Sequence, residues 1–216
     1  MTTPLRISPL HDSLQLLLGT WREINRMPSL ACHVNESANA ELLGIADLSC
    51  LTRFGVKGAG TADWLEQSIP VPDRSNTWCP LPEGGMVARL GRSEFLIEDS
   101  LHSTVASRLA KACQQLPGSV YPVLRQDAAI ALCGAAVNEL LLQTCSFNFR
   151  AASLVERPVI LTMIVGVAAI VIPDRRNGQP FYRIWCDGTF GVYVWSTLLA
   201  IAQELGGGAI GAGLVL

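Results

Sequence analysis

The stretch Ala128–Cys145, AAIALCGAAVNELLLQTC, occurs twice in this sequence in degenerate form. Shifted back by 76 positions, it falls on Thr52–Ile69. Each copy alternates apolar residues, continues through a glycine (Gly58 or Gly134) and ends with an apolar pair. Alternation at a period of two predicts a strand, the glycine predicts a turn, and the later spacing predicts a short helix.

A second match lies further along the chain, at an offset of 89 positions. The apolar stripe of an amphipathic helix, at i, i+4, i+7, i+8 and i+11, is present in both Val105–Leu116 and Val194–Leu205. The change of offset indicates a 13-residue insertion, which we place in the polar segment Pro173–Pro180. The sequence therefore predicts an α+β fold of two duplicated strand–helix–strand–strand–helix–strand halves, each ferredoxin-like.

The repeat divides the chain into three segments. Residues 1–41 form an N-terminal extension, 42–126 the first half and 127–216 the second half, and the two halves make one compact domain. A chain of 216 residues is long enough for a sizeable core. In the extension we expect a short apolar helix or strand ending at Gly19, then a loosely ordered stretch, Asn25–Ala40.

Periodicity and turn residues predict the individual elements of both halves. The first half has an extended segment at 42–57, a helix at 60–68 capped by Thr61, a loop at 71–85, a hairpin of 86–90 with 94–98, a helix at 101–116 capped by Ser100, and a strand at 120–124. The second half has strands at 128–133, 159–165, 168–172, 181–186 and 209–216, and helices at 135–144 and 190–205.

Composition excludes several classes of function. The net charge is −2 and the pI is about 5.9, so the chain is not expected to bind nucleic acid or an anionic membrane. The longest apolar run, Val159–Ile172, is shorter than the roughly 20 residues of a membrane helix. The seven cysteines are odd in number and form no C-x-x-C pair, which predicts free thiols and a cytoplasmic protein.

The apolar content predicts a partner. Mean hydropathy is +0.33 and only 16% of the residues are charged, which leaves little polar surface for a monomer. The terminal segment Ala209–Leu216 is expected to be an uncovered strand at a sheet edge, open to pairing with another chain. We therefore expect association with the other subunits of a hetero-oligomer, or self-association.

Nucleotide and metal sites are not expected. Gly206, Gly208 and Gly211 satisfy G-x-G-x-x-G, but a helix precedes them and the chain ends soon after, whereas the dinucleotide motif joins a strand to a helix. The three histidines are scattered and none is spaced for metal ligation with a cysteine or a carboxylate.

Two segments that interrupt the repeat are candidate ligand sites, because loops on a regular scaffold often carry function. They are Asn76–Gly85 and Asp174–Tyr182. An aromatic ring there could stack on a planar anion while an arginine pairs with its charge. The alternative is that the arginines are solvated and the tryptophan is a packing anchor. The residues concerned are Trp78, Glu83, Arg175, Arg176 and Tyr182.

Short motifs of the chain resemble a known family. Ala46-Asp47-Leu48-Ser49, followed by Val56-Lys57-Gly58 with Ala62 and Leu65, resembles the opening of the glycine cleavage T-protein, a tetrahydrofolate-dependent aminomethyltransferase. Ile130–Gly134, IALCG, resembles a second segment of that family.

The match is closer to a shorter relative, the gamma subunit of heterotetrameric sarcosine oxidase. Leu90–Ile97, LGRSEFLI, resembles its hairpin, and Asp187–Trp195, DGTFGVYVW, resembles the start of its last helix. The resemblance covers roughly Leu43 to Leu205. It implies the folate-binding T-protein fold without the C-terminal barrel of the full transferases, and tetrahydrofolate as the cofactor.

The chain departs from the family at two points. The transferases follow a Gly-Gly turn with paired aspartates, whereas Gly84-Gly85 is followed here by Met86-Val87-Ala88. Their pterin-binding glutamate aligns with Arg183, and the nearest surviving acid to the first site is Glu83, a weak candidate for a catalytic group. The resemblance therefore leaves catalysis open.

Three hypotheses follow from the resemblance and its departures. The first is an accessory, non-catalytic subunit of a sarcosine-oxidase-like assembly in folate-linked one-carbon metabolism. The second is a free-standing tetrahydrofolate-dependent aminomethyltransferase, and the third is a purely structural interaction module. We favour the first, because the acids are missing and the chain is apolar.

Overall fold

The computed structural model describes residues 6–113 and 118–216 as a mixed α+β structure. Its helices are α1 His11–Leu14, α2 Glu36–Leu42, α3 Thr61–Glu66, α4 Val105–Ala112, α5 Val137–Thr144 and α6 Gly191–Glu204. Its strands are β1 Gly19–Ile24, β2 Met27–His33, β3 Gly44–Asp47, β4 Arg53–Lys57, β5 Thr77–Pro80, β6 Met86–Arg89, β7 Glu94–Glu98, β8 Tyr121–Val123, β9 Ala128–Cys133, β10 Ile160–Ile164, β11 Val167–Arg176, β12 Gln179–Cys186 and β13 Gly208–Ala209.

The chain folds into two compact units. The large unit contains the described residues up to Cys50 together with Gln126–Leu154 and Leu161–Leu216, and the small unit contains Leu51–Arg125 and Val155–Ile160. The large unit has a six-stranded sheet in the order β10-β11-β12-β9-β3-β13 and the hairpin β1–β2. The small unit has a five-stranded sheet in the order β5-β6-β7-β4-β8. The repeat-based boundaries remain a prediction about the duplicated segments.

The two sheets share a strand order with one difference. The order β5-β6-β7-β4-β8 of the small unit corresponds to the order β10-β11-β12-β9-β13 in the large unit. The difference is that β3 lies between β9 and β13 in the large unit. Helix α4 precedes β8 as α6 precedes β13. Superposition of these two helices stays a prediction, and the predicted helix end at Leu116 lies outside the described residues.

The repeated glycines form the turns that the sequence predicts. Gly58 has φ +131° and Gly134 has φ +107°, a region that favours glycine. A Cβ atom on Gly58 would lie 2.0 Å from the carbonyl oxygen of Ser119, and one on Gly134 would lie 2.6 Å from that of Leu42. Each turn therefore requires glycine both for its backbone conformation and for the space beside it.

Each unit buries the apolar face that its sequence pattern marks. In the small unit, alternating residues of β4 and β7 form one core with α3 and α4; its central members are Phe54, Val56, Leu65, Phe95, Ile97, Val105 and Leu109. In the large unit, the buried apolar residues of β9, β12, α5 and α6 include Ile130, Leu132, Leu140, Ile184, Val194 and Leu198. Helix α6 contacts both β3 and α5.

The N-terminal extension is more ordered than we expected. The stretch predicted to be loose, Asn25–Ala40, holds the turn of the β1–β2 hairpin, strand β2 and most of α2. The amides of Ala135 and Ala136 donate to the carbonyls of Glu41 and Leu42, so the end of α2 is bonded to the turn before α5. That expectation was wrong because these contacts form between segments far apart in sequence.

The C-terminal segment also differs from its prediction. Only Gly208–Ala209 is a strand, and a 3-10 turn follows at Ala212–Leu214. Ile210 and Val215 are buried, and the amide of Gly211 donates to the Glu36 carboxylate. The terminus packs against β2. The chain itself therefore covers the segment that we expected to pair with a partner.

Several local predictions are confirmed and others are corrected. The hairpin of β6 and β7 and the strand β9 lie where the pattern places them. The extended segment 42–57 is two strands, β3 and β4, in different sheets, and the loop 71–85 contains β5. The polar insertion near Pro173–Pro180 lies in the hairpin of β11 and β12. These strands have 10 and 8 residues, whereas β6 and β7 have 4 and 5.

The predicted helix caps are wrong in both cases. Thr61 is the first residue of α3 and makes no capping bond. At α4 the carboxylate of Asp99, rather than Ser100, accepts from the amide of Ala106 at 3.0 Å. Asp99 also accepts from the Ser103 hydroxyl at 3.1 Å, so a buried acid satisfies the first turn of the helix.

The structure can also be compared with the predictions of free cysteine thiols and of no membrane helix. All seven cysteines are free thiols. Across residues 6–113 and 118–216, no helix is both long enough and apolar enough to cross a membrane.

The Gly58 turn gives a stability test. We expect Gly58→Ala to lower the free energy of unfolding by at least about 2 kcal/mol, because it adds left-handed strain and a collision with the Ser119 carbonyl. Gly91→Ala is the matched control, since nothing lies within 4 Å of a Cβ atom there. The urea midpoint of each variant is measured. Equal midpoints for the two variants would contradict this account of the turn.

Candidate functional site

The sequence-predicted site residues divide between the two units. Trp78 and Glu83 belong to the small unit, and Arg175, Arg176, Tyr182 and Arg183 belong to the large unit. The four residues of the large unit lie together on the β11–β12 hairpin. The candidates therefore form two groups, one in each unit.

The register of the hairpin separates its candidates onto two faces. Arg176 pairs with Gln179, Asp174 with Phe181, and Ile172 with Arg183. Residues directly opposite each other share a face, and faces alternate along a strand. Arg176, Phe181 and Arg183 therefore share one side, named here the arginine face, while Arg175 and Tyr182 belong to the other.

The arginine face is organised around the ring of Phe181. The guanidinium carbon of Arg176 lies 3.8 Å from the ring centroid, and that of Arg183 lies 5.7 Å away. Both distances are within the range of a cation–π interaction. Arg176 also donates a hydrogen bond to the carbonyl of Val215, near the C-terminus. Arg176 is thus a packed group that ties the terminus to the hairpin, not the solvated charge of the alternative interpretation.

A cysteine borders the arginine face. Cys133 on β9 pairs directly with Phe181. Burial raises the pKa of its thiol, and the nearby charge of Arg176 acts in the opposite direction. The thiol is therefore protonated near neutral pH, and the chemistry of this face is cationic and aromatic rather than nucleophilic.

Tyr182 is a buried anchor on the opposite face. Its hydroxyl donates to the Asn138 side-chain oxygen at 3.1 Å, and its ring centroid lies 5.5 Å from that of Phe149. Burial raises the pKa of its phenol, and Arg175 partly opposes that effect. Arg175 itself is exposed and donates to the carbonyl of Gly178 in the hairpin turn. The ring of Tyr182 is therefore enclosed and presents no stacking surface to a ligand.

In the small unit, Trp78 packs beneath an arginine. The guanidinium carbon of Arg157 lies 5.7 Å from the indole centroid, and the Trp78 amide donates to the Arg157 carbonyl. Within the part of the chain that the structure describes, no group accepts a hydrogen bond from the buried indole Nε1. Trp78 is half-buried and packs against Arg157, as the alternative interpretation holds.

Glu83 is held by a surface ion pair. Its carboxylate lies 2.7 Å from the Arg108 guanidinium on α4, and both side chains are about half exposed. The turn that follows requires glycine, because Gly84 and Gly85 have φ +90° and +88°. Glu83 thus faces α4 at the surface and is not enclosed by a cavity.

The position of the missing acids is apolar and buried. Met86, Val87 and Ala88 are all buried in β6. Directly opposite Met86 is Glu98 on β7, and Glu98 pairs in turn with Arg53 on β4. The Arg53–Glu98 ion pair has an N–O distance of 3.4 Å, and only 3% and 2% of the two side chains are exposed.

Sequence reasoning missed this buried ion pair. Arg53 and Glu98 are 45 residues apart and become neighbours only through the β4–β7 register. A second pair, Glu94 with Arg125 at 2.7 Å, lies on the same sheet face. The charges at both ends of the apolar segment Glu94–Glu98 were the available signal.

The remaining site expectations concern metals and nucleotides. In the part of the chain that the structure describes, no three His, Cys, Asp or Glu residues are placed to hold a metal ion. The G-x-G-x-x-G segment follows α6, and Gly206 has φ +83° at the end of that helix. Gly206 therefore belongs to a helix C-terminus rather than to a strand-to-helix phosphate loop.

Comparison with known proteins identifies the fold. No family model matches the sequence, and no curated protein sequence matches it either. Among solved structures, the glycine cleavage system aminomethyltransferase T of Bartonella henselae matches with a TM-score of 0.79 and 11% identity over 97% of this chain. The fold is that of aminomethyltransferase T. This chain covers 60% of the length of that protein.

A second structure matches over nearly its full length. It is a chain of the heterotetrameric sarcosine oxidase of Corynebacterium sp. U-96, determined in complex with pyrrole 2-carboxylate. The TM-score is 0.65 and the identity 18%, over 93% of this chain and 96% of the oxidase chain. The T-protein-like fold predicted from sequence is therefore confirmed, while the preference for the gamma subunit remains a prediction.

The buried phenol of Tyr182 gives a test of the hairpin packing. We expect its ionisation midpoint in the folded protein to lie above the ordinary value of 10.0, because burial disfavours the phenolate. The buried, protonated phenol therefore contributes its full stability below the pKa that Tyr182 has in the unfolded chain. That stability is lost as the pH rises through the higher pKa of the folded protein. The difference in tyrosinate absorbance between the parent and Tyr182→Phe isolates this group.

Denaturation should return the Tyr182 midpoint to its ordinary value. Tyr193→Phe is the matched control, since that exposed hydroxyl donates to the Val165 carbonyl and its loss should leave the Tyr182 step in place. A folded-state midpoint at or below 10.0 would show that Tyr182 is not buried as described.

Proposed function

We propose that this chain is an aminomethyltransferase-like protein of folate-linked one-carbon metabolism that serves as an accessory, non-catalytic subunit of a sarcosine-oxidase-like assembly. The observation that carries the proposal is the apolar, buried character of Met86, Val87 and Ala88 after the Gly84-Gly85 turn. In the transferase pattern this position holds acids. An acid there cannot be replaced chemically by methionine or valine, which neither accept nor transfer a proton.

The second departure supports a non-catalytic role. Arg183 stands where the pattern has its pterin-binding glutamate. A carboxylate accepts hydrogen bonds from the amino-pyrimidine edge of a pterin, whereas a guanidinium only donates. Arg183 also lies within cation–π range of Phe181. Any bound folate would therefore be held through its own acceptor groups and its carboxylates.

Tetrahydrofolate is the ligand to test first. The arginine face places the guanidinium groups of Arg176 and Arg183 beside the buried Phe181 ring, so a folate would be drawn to this face by its negative charges rather than by stacking. Trp78 and Arg157 form a similar pair in the small unit. No step of the proposal requires a metal ion or a nucleotide.

An oxidase-like partnership is supported by size and by composition. The chain matches 96% of one chain of a heterotetrameric oxidase, but only 60% of the aminomethyltransferase. Its mean hydropathy of +0.33 agrees with a surface that is partly covered by other subunits. A cytoplasmic location is part of the proposal.

A free-standing aminomethyltransferase is the second candidate. The higher TM-score with aminomethyltransferase T, 0.79 against 0.65, favours it. Glu83 would then be the catalytic acid, although it is paired with Arg108 at the surface. A purely structural interaction module is the third candidate, and it predicts no folate binding.

Folate titration separates these candidates. We expect the purified chain to bind a reduced folate weakly, and Glu83→Ala to change the Kd by less than about twofold, because the Glu83–Arg108 pair is a surface pair of small energy. Arg108→Ala is the matched control, since it breaks the same pair but keeps the carboxylate. Calorimetry or intrinsic fluorescence measures both.

The outcomes of the titration are distinct. A loss of tight binding in Glu83→Ala, but not in Arg108→Ala, would restore the transferase hypothesis. No detectable binding to any of the three proteins would favour the structural module.

Copurification tests the assembly. A tagged full-length chain isolated from its native host should retain a flavin-containing protein, visible as flavin absorbance in the eluate, at a fixed ratio to the chain. The tag alone is the control. A flavin-free eluate at every salt concentration would argue against the oxidase-like assembly, whatever the folate titration gives.

A further inference from the structure

The tip of the β11–β12 hairpin is an asparagine–glycine turn. Asn177 and Gly178 have φ +51° and +79°, the signs of a type I′ hairpin turn. Both residues are exposed, and they connect Arg176 to Gln179, the last paired residues of the two strands. The turn therefore presents to solvent an asparagine followed by a residue that has no side chain. This feature is independent of the proposed folate function.

The two reacting groups of this turn are not held by hydrogen bonds. Within the residues that the structure describes, no group accepts a hydrogen bond from the Gly178 amide, and none bonds the Asn177 side chain. A Cβ atom placed on Gly178 would meet nothing within 4 Å. The side-chain amide and the next backbone nitrogen can therefore approach each other without breaking a hydrogen bond or displacing a neighbour.

The other asparagines lack this combination. The sequence contains seven asparagines, and Asn177 alone precedes a glycine. Asn39 and Asn138, for example, have side chains that are hydrogen-bonded within the protein. Asn76 is exposed and has φ +58°, much like the asparagine at the hairpin tip, but the β-branched Thr77 follows it. Asn76 is therefore an internal comparison that isolates the effect of the glycine.

The chemically related pair Asp187-Gly188 is protected by its surroundings. The Asp187 carboxylate accepts from the amide of Thr189 at 2.8 Å and from its hydroxyl at 2.6 Å. A Cβ atom on Gly188 would lie 2.7 Å from the carbonyl oxygen of Gln126. The side chain is therefore held in place and the space beside the glycine is closed. The hairpin tip has neither form of protection.

We propose that Asn177 is a site of spontaneous deamidation, which converts the hairpin tip into a mixture of aspartate and isoaspartate. The Gly178 amide nitrogen gives its proton to water and attacks Cγ of Asn177. The new N–Cγ bond closes a succinimide ring, and the Cγ–Nδ2 bond breaks with release of ammonia. Water then opens the ring at either of its carbonyls. The reaction consumes one water, releases one ammonia and needs no oxidant or reductant.

The isoaspartate product changes the backbone as well as the charge. When the ring opens at the backbone carbonyl, the chain continues through the former side chain and gains one methylene. A turn lengthened in this way loses the type I′ geometry that places Arg176 opposite Gln179. Arg176 donates a hydrogen bond to the Val215 carbonyl. Isoaspartate formation therefore loosens the C-terminal segment, whereas the aspartate product adds only a carboxylate at the tip.

The test is peptide mapping by mass spectrometry of the full-length chain, incubated in the folded state at several pH values without folate. The peptide containing Asn177 should gain the mass difference between an amide and a carboxylic acid, and chromatography should resolve two products. The amide should be lost at least about tenfold faster at Asn177 than at Asn76, because the β-branched Thr77 crowds its own nitrogen. The rate should rise with pH, because the attacking nitrogen must lose its proton.

Gly178→Ala is the matched variant for the attacking residue. Its added methyl group shields the nitrogen but meets nothing within 4 Å, so the hairpin is retained at the cost of left-handed strain. Below the melting temperature of the variant, deamidation at Asn177 should slow at least about tenfold. The denatured parent is the positive control for the chemistry. If the denatured parent reacts at Asn177 but the folded parent reacts there no faster than at Asn76, the proposal is overturned.

Hydrogen exchange tests the consequence at the C-terminus. The amide of Leu216 bonds to the carbonyl of Ala212. In the purified isoaspartate form this amide should exchange at least about fivefold faster than in the parent, because the bond from Arg176 to the terminal segment is lost. Asn177→Asp is the control for the added charge alone and should exchange like the parent. Equal exchange in the isoaspartate form and the parent would overturn the link between the turn and the terminus.

Discussion

The two glycine turns at Gly58 and Gly134 are the constraint on which the rest of the structure depends. Each ends one strand of a sheet and starts the helix that packs on it, with a positive φ that other residues rarely adopt. Each also places its backbone against a distant carbonyl, that of Ser119 or Leu42. The same local sequence therefore fixes both the strand-to-helix turn and a contact with a segment far away in the chain.

The long β11–β12 hairpin is one of the features that distinguish the large unit from the small one. Its strands have 10 and 8 residues, against 4 and 5 in the equivalent hairpin of the small unit. The added length carries Arg176 and Phe181, and Arg176 bonds to the carbonyl of Val215. The extra residues thus serve two purposes, since they create the arginine face and fasten the C-terminal segment. A ligand on this face would compete with contacts that already stabilise the fold.

The small unit buries a charged pair beside Met86, the first residue after the Gly84-Gly85 turn. Glu98 lies opposite Met86 and is neutralised by Arg53, with both side chains almost fully buried. Removing one partner of such a pair lowers the free energy of unfolding strongly, because it leaves an uncompensated buried charge. It is therefore well suited to holding β4 and β7 in register. A proton-transfer group would need access to a substrate, and a paired, enclosed carboxylate is poorly placed to provide it.

The sequence by itself determined the fold class, the strand-to-helix turns and the hairpin of β6 and β7, because these depend on local periodicity and on glycine. It also identified the apolar segment after Gly84-Gly85. Only the tertiary structure decided that Asn25–Ala40 is ordered, that the terminus after Ala209 is covered, and that Arg53 meets Glu98. It also divided the candidate site residues between two units and showed that Tyr182 is an anchor. The physical reason is that these outcomes depend on strand register and on contacts between segments tens of residues apart, which leave no periodic signal in the sequence.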